Sequence, residues 1–337
     1  MGTIIIALIM FLLLVTIHEF GHFIVAKSSG IKVNEFAVGM GPKIWSKQKG
    51  ETLYTLRILP IGGYCAMEGE EESSNDPRSY DNAPAYKRFL TILAGPLMNL
   101  LLAVIVFSIV ASNTGIATNI VGGFSENSPA KEAGIRQGDE IMLVGITGIE
   151  EFSDIGPAID RYYKEFPENE QINVAVVRDF DIKQFTLVPD RSSGYPILGI
   201  SSQFKDIGFF ESIGQGFKET WSNVKMIFKV FGNLFSGKIA FSALSGPVGV
   251  VKEIGNQAQN GLMNLLYFLS YISVNLAVFN LIPFPALDGS KLVTNLYEMI
   301  SGRPVNKKIE EKVTVVGFII LLGLIVVITV KDIFALF

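Results

Sequence analysis

The sequence predicts a polytopic α-helical membrane protein, with about four transmembrane helices, a membrane-associated β-hairpin region and an inserted extracytoplasmic α+β domain. Three observations carry that expectation. Of 337 residues, 49% are hydrophobic and only 18% charged, too apolar a balance for an ordinary soluble protein. Four apolar runs, residues 3–26, 89–112, 262–282 and 313–330, approach or exceed the ~20 residues that cross a hydrocarbon layer of about 30 Å. Residues 119–190 then change character, with turn signals and strand-like alternation in place of long apolar runs. The net charge of -4 argues against a nucleic-acid partner, and the single cysteine, Cys65, excludes an internal disulfide and reads as a packing residue.

The first run contains Leu14-Val15-Thr16-Ile17-His18-Glu19-Phe20-Gly21-His22. His18 and His22 are the only two histidines in the chain, four residues apart and so on one helix face. Two imidazoles at that spacing can each present a nitrogen to one zinc ion at about 2.0 to 2.1 Å. Glu19, beside the first, can then reach a water rather than the metal, which is the H-E-x-x-H logic of a zinc hydrolase helix. Two merely structural histidines are the alternative. An ionisable cluster within a span is costly and marks function. A cleaved signal peptide does not fit, because no basic residue precedes the run.

The connecting loop 27–88 holds nine Lys or Arg and 283–312 holds five, while the much longer 113–261 holds thirteen. The positive-inside rule places the two short loops in the cytoplasm, and the middle segment and both termini outside. Between Val33 and Met67 the alternation Thr52-Leu53-Tyr54-Thr55-Leu56-Arg57-Ile58, broken by Gly39, Gly41, Gly50 and Gly62-Gly63, predicts short strands. These fold back beside the histidines or form a small cytoplasmic hairpin. The acidic run from Glu68 to Glu72 and the Ser/Asn/Asp/Pro stretch after it read as solvated linker. Within the second span, Ala94-Gly95-Pro96-Leu97-Met98-Asn99 permits close helix approach, and Asn99 needs a polar partner there or serves as packing glue.

In the middle segment Ser128-Pro129-Ala130 reads as an N-cap followed by proline, with Gly134 closing a short helix. Gly138-Asp139 turns into a strand at 140–144, a helix follows near Pro157 to Phe166, and 172–177 pairs with 185–188. The signature Ser-Pro-Ala-x-x-Ala-Gly-Ile-x-x-Gly-Asp-x-Ile over 128–141 resembles a protease-associated PDZ domain, although Gly145-Ile146 stands where such domains carry Asn-Gly. The resemblance implies peptide capture by strand addition; a steric cap is the alternative. Phe210, Ile213, Phe217, Trp221, Val224, Phe228, Phe231 and Phe235, with Lys218, Lys225 and Lys229 among them, predict an amphipathic helix along the membrane surface or a core helix of the outer domain.

A catalytic zinc uses three protein ligands and leaves a position open, so two histidines are one short. The third span ends Asn275-Leu276-Ala277-Val278-Phe279-Asn280-Leu281-Ile282-Pro283-Phe284-Pro285-Ala286-Leu287-Asp288-Gly289. Pro283 and Pro285 break the helix and offer Asp288 near the membrane edge, as a third ligand or as a cap for a helix starting near Ser290.

His18-Glu19-x-x-His22, Gly62-Gly63-Tyr64, Gly95-Pro96-x-x-Asn99, the PDZ-like insert, Ser245-Gly246-Pro247 and Asn280-x-x-Pro283-x-Pro285-x-Leu287-Asp288-Gly289 occur in the order seen in the site-2 protease family of intramembrane zinc metalloproteases. The chain most resembles its bacterial regulator-of-sigma-E (RseP-like) branch, with one PDZ domain. The resemblance implies Zn2+ held by His18, His22 and Asp288, Glu19 as the catalytic carboxylate, and substrate contacts from Asn275, Asn280, Pro283, Pro285, Gly62, Gly63 and Tyr64. It also implies a multi-pass protein of a bacterial inner or cell membrane, with the active site near the cytoplasmic side. Single-span membrane proteins, such as trimmed anti-sigma factors or remnant signal peptides, are the implied substrates. The expected organisation is 1–112 and 261–337 as two halves of a membrane core, 113–205 as the PDZ-like domain and 206–260 as the amphipathic segment. A zinc transporter or sensor is the rival reading, but it would favour more ligands along a path; a non-catalytic PDZ scaffold leaves Glu19 unexplained.

Overall fold

A computed structural model of the chain describes residues 2–70, 72–192, 195–238 and 245–334. Glu71 of the acidic run, and the side chain of Phe235, lie outside that description. The chain divides into two compact units, Met1–Val110 with Ile213–Phe337, and Ala111–Ser212.

Four helices among the described residues are long and apolar enough to cross a membrane: α1 (Gly2–Ser28), α2 (Ala85–Thr114), α7 (Leu262–Leu281) and α9 (Lys307–Phe334). All but α7 outrun the apolar stretches that announced them, because the helical hydrogen-bond ladder continues into polar flanks such as Lys307 to Lys312. Large apolar side chains such as Ile9, Leu101 and Ile319 face outward from these helices, as a lipid surround requires. Between α1 and α2 lie β1 (Val33–Lys49) and β2 (Thr52–Met67), longer than the short strands expected. Both bend: Gly39, Gly41 and Gly62 have φ of +83°, +84° and +77°, values open to glycine without strain. In consequence Phe36 has two partners, Cys65 on one side and Tyr54 on the other, so the first half of β1 is central and 63–67 is an edge. A core of Ala26, Ile31, Val33, Phe36, Cys65, Met67 and Ile92 binds this sheet to α1 and α2.

The segment after β2 is no free linker. Glu68 accepts from Asn34 and Ser74 and pairs with Lys32, while Glu70 pairs with Lys291 at 2.7 Å. Acidic composition suggested solvation, but fixed cations from distant sequence neutralise the run. Those partners lie too far along the chain for local pattern to reveal them.

In the second unit β3 (Ile116–Phe124), α3 (Pro129–Glu132), β4 (Glu140–Val144), β5 (Thr147–Gly148), α4 (Ile155–Glu165), β6 (Ile172–Arg178), β7 (Asp181–Leu187) and β8 (Ile200–Lys205) follow in order. Their sheet runs β7-β6-β4-β3-β8, with β5 on β4. Ser128 caps α3 through its Oγ, which accepts from the Lys131 N–H, and Gly134 has φ +97°. Ile141, Val144, Ala158, Ile172, Val174 and Val176 are the centre of its core. β3 and β8 lie partly or wholly beyond the 119–190 stretch whose patterning was legible, and their pairing closes the sheet.

The remaining helices of the first unit are α5 (Phe209–Phe235), α6 (Pro247–Gln259) and α8 (Asp288–Ser301). The aromatic stripe on α5 divides: Phe210, Phe217, Trp221 and Phe228 are exposed, and the buried side is Ser212, Thr220, Asn223, Val224 and Ile227. Gly216 sits so close to α2 that a Cβ would collide with the Ser108 hydroxyl and crowd Val104 O at 2.5 Å. Val224 and Ile227 pack with Ala103 and Phe107 of α2 and Val274 and Val278 of α7, while the exposed face carries Lys218, Lys225 and Lys229 beside the aromatics, the two-faced pattern of an amphipathic helix.

Candidate metal centre

Helical geometry fixes the first two residues. His18 and His22, one turn apart on α1, are buried, with ring centroids 4.8 Å apart and the rings edge-on at 81°. The third arrives from 270 residues away. After α7 ends at Leu281, Pro283 and Pro285 forbid its continuation, and Ala286 takes a left-handed φ of +74° to turn the chain. That value is rare without glycine and costs of order 1 kcal/mol, the kind of strain retained at functional sites. Gly289 then lies against the end of α7; a Cβ there would meet Leu281 O at 2.6 Å and collide with Ile282 O. α8 therefore starts at Asp288 with its carboxylate over the histidines: Oδ2 is 2.9 Å from His18 Nε2 and 3.4 Å from His22 Nε2. Asp288 is a first-turn residue facing inward, not the N-cap, which is Leu287.

These three ligand atoms lie within 4.8 Å of one another, and among the described residues they form the one such group of three or more. Two imidazole nitrogens and a carboxylate oxygen converging from one side suit a zinc site that keeps a position open. The outer contacts suit it too. His22 Nδ1 donates to the Thr91 carbonyl at 2.9 Å, which leaves the Nε2 lone pair for a metal. Gly95, four residues on, makes room for both rings: a Cβ there would collide with His22 and stand 2.8 Å from His18 Nε2. Asn99, four further, brings its amide to 3.2 Å from His18 Nδ1. Gly21 closes the same seam from α1, because a Cβ on it would strike the Ala94 carbonyl and Met98. One face of α2 thus backs the H-E-x-x-H helix over about two turns.

Glu19 joins the cluster through the edge of β2. Its Oε2 accepts from the Cys65 N–H at 3.0 Å, which ties the carboxylate to the outer rim of 63–67. Within that rim Gly63 is forced by the Ala37 carbonyl, 2.7 Å from where a Cβ would stand, and Gly62 supplies the bend. Tyr64 is held by Arg57, whose Nη2 donates to its hydroxyl at 2.5 Å and to Glu35 at 2.7 Å. Pro285 packs on α9, where a Cβ on Gly317 would meet Pro285 O at 2.7 Å. Asn280 is half-buried at the C-terminal end of α7, whereas Asn275 spends its amide on the Tyr271 carbonyl one turn back. Sequence reasoning did not find the Thr91 carbonyl, since a backbone acceptor leaves no residue-type signal. It did single out Asn99 as wanting a partner, and the partner is a histidine of the cluster.

The sequence matches the description of peptidase family M50 across residues 6–324. A protein of Clostridium acetobutylicum, provisionally named a zinc metalloprotease, is 38% identical over 98% of this chain and 97% of its own. One from Clostridium perfringens with the same provisional name is 40% identical over 98% of both chains. A third, from Staphylococcus aureus strain MRSA252, is 32% identical over 98% of both, its alignment stretching to 424 positions. Zinc, the metal in those names, is the ion the His/His/Asp donor set suits. A buried zinc-type ligand set at the junction of span-length helices, matched along nearly the whole chain, places this protein in peptidase family M50, the site-2 proteases.

Proposed function

We propose that the protein is an intramembrane zinc endopeptidase of a bacterial cell membrane that hydrolyses peptide bonds within the transmembrane segments of single-span proteins. The observation that carries the reading is the convergence of His18, His22 and Asp288 on the apolar helix α1, with Glu19 beside them. When bound, zinc would supply a Lewis acid that polarises the scissile carbonyl and lowers the pKa of a water to roughly 7. Glu19 takes the proton of the attacking water and returns it to the leaving amine. Its bond from Cys65 N–H keeps the carboxylate on the side where the substrate chain enters. A helical substrate hides its carbonyls, so it must first be drawn out; the edge of 63–67 offers a strand to pair with, next to Glu19. Asn280, at the end of α7, is placed to hold the unwound backbone. The basic short loops support a centre near the cytoplasmic face and a second unit on the outer side. That unit is read as a PDZ-like domain that excludes substrates still carrying bulky external parts.

The test uses detergent-purified protein and a synthetic single-span peptide, with and without a zinc chelator, with the cut located by mass spectrometry. Cleavage inside the apolar segment, abolished by the chelator and restored by zinc, is the expected result. Cleavage only in the polar flanks would contradict the intramembrane reading, and zinc binding without cleavage would favour a transporter or sensor.

A further inference from the structure

Each histidine of the cluster has two ring nitrogens, and only one can face the metal. Which nitrogen carries the proton is set by the partner of the other. For His22 the partner is a carbonyl, Thr91 O, so Nδ1 must be the donor and Nε2 keeps its lone pair for a metal. For His18 the partner is the side-chain amide of Asn99, fully buried on α2. With Nδ2 turned toward the ring, Nδ1 would have to accept. The proton would then sit on Nε2, the nitrogen 2.9 Å from Asp288, and the metal would be excluded. In that orientation the Asn99 Oδ1 is also buried with no hydrogen-bond partner; the opposite orientation moves Nδ2 into that place, so the choice turns on the His18 tautomer. An Asn amide fills nearly the same volume either way, and hydrogen-bond chemistry decides between the two.

We infer that Asn99 is a positioning residue of the zinc centre: its Oδ1 accepts from His18 Nδ1–H and so holds His18 in the tautomer whose Nε2 can ligate the metal. Asn99 then does for His18 what the Thr91 carbonyl does for His22, and Gly95 midway between them leaves space for the rings. The main chain at Asn99 is also tied down, because Ser273 Oγ on α7 donates to the Asn99 backbone carbonyl at 2.8 Å. That bond joins the helix orienting His18 to the helix that leads to Asp288. The inference rests on the zinc-centre reading but not on proteolysis.

The test is apparent zinc affinity of the purified full-length protein, by competition with a chromophoric chelator, for wild type, Asn99→Ala and Asn99→Asp. The aspartate variant is close in shape and can only accept. The expected result is a 10- to 100-fold weaker affinity for Asn99→Ala, with Asn99→Asp binding zinc at least as tightly as wild type. Weakening in Asn99→Asp to the level of Asn99→Ala would overturn the acceptor role, and so would wild-type affinity in Asn99→Ala. A wild-type protein that binds no zinc would instead remove the metal centre itself, which separates the two failures.

Discussion

At the scale of single residues, the site combines side chains with missing side chains. Glu19 is tied to the edge of β2 through the Cys65 N–H and stands outside the three-residue ligand set, so Glu19→Gln is expected to keep zinc bound, measured by metal analysis, while peptide cleavage falls by at least ~100-fold. Retained turnover would remove Glu19 from the chemistry. Gly95→Ala adds one methyl where the rings of His18 and His22 already stand, so its zinc content should drop at least ~10-fold with the chain still folded. Unaltered metal content in that variant would mean the seam between α1 and α2 is looser than described. The histidines and Glu19 were legible because H-E-x-x-H spacing is itself the geometry of the site. Asp288 was legible through the missing third ligand, the prolines that end α7 and the motif around them. The Thr91 carbonyl was invisible in sequence, since its contribution comes from backbone and not from residue type.

Among the elements, the parts nearest the metal are held by contacts that span the chain. α8 presents Lys291, Asn295 and Glu298 to Glu70, Tyr80 and Arg88, so the helix that begins with Asp288 is strapped both to the segment read from sequence as solvated linker and to the first turn of α2. Burial pushes the Tyr80 hydroxyl up to about 12, so it stays neutral in this contact at ordinary pH. The Lys291 side chain is 40% exposed and that of Glu70 16%, so losing the lysine leaves the more enclosed carboxylate without its partner. Lys291→Met should therefore lower the melting temperature of the purified protein, and adding Glu70→Gln should recover part of the loss. Equal losses in the single and double variants would show that the strap is not coupled. In the second unit Asp139 offers a pH test. Its burial alone would raise the carboxyl, but Arg178 at 2.6 Å and the Arg136 N–H at 2.7 Å more than offset this and hold it below the usual carboxylate range. A depressed folded pKa adds stability above the unfolded value of about 3.9, and that contribution fades as pH falls through the folded value. Protection of 134–144 in hydrogen exchange, corrected for intrinsic rates, should thus decline below about pH 4, and less steeply in Asp139→Asn. The same slope in both would assign the effect to other groups. The long helices were readable from apolar length, the short helix of this unit from its cap and turn residues, and the paired strands from alternation, although β7 begins at Asp181 and not at Phe185. β3 and β8 were not, because their pairing joins stretches some 80 residues apart.

For the whole molecule, span-length helices carry a polar centre that no one of them could hold. α1 supplies two ligands, α2 orients them, and the turn after α7 delivers the third. A substrate filter in the second unit predicts that removing the entire sheet, residues 116–205, permits cleavage of reporters with bulky external domains. Deleting only 119–190 would strand β8 without its partner and is the poorer experiment; an unchanged preference after the full deletion would dismiss the filter. The measurement that bears most directly on the central claim is an anomalous difference map at the zinc edge from crystals of the full-length protein. The account predicts a single peak at about 2.0 to 2.2 Å from His18 Nε2, His22 Nε2 and an Asp288 oxygen. A peak elsewhere, or none with the Asp288 carboxylate turned away from the two imidazoles, would contradict it.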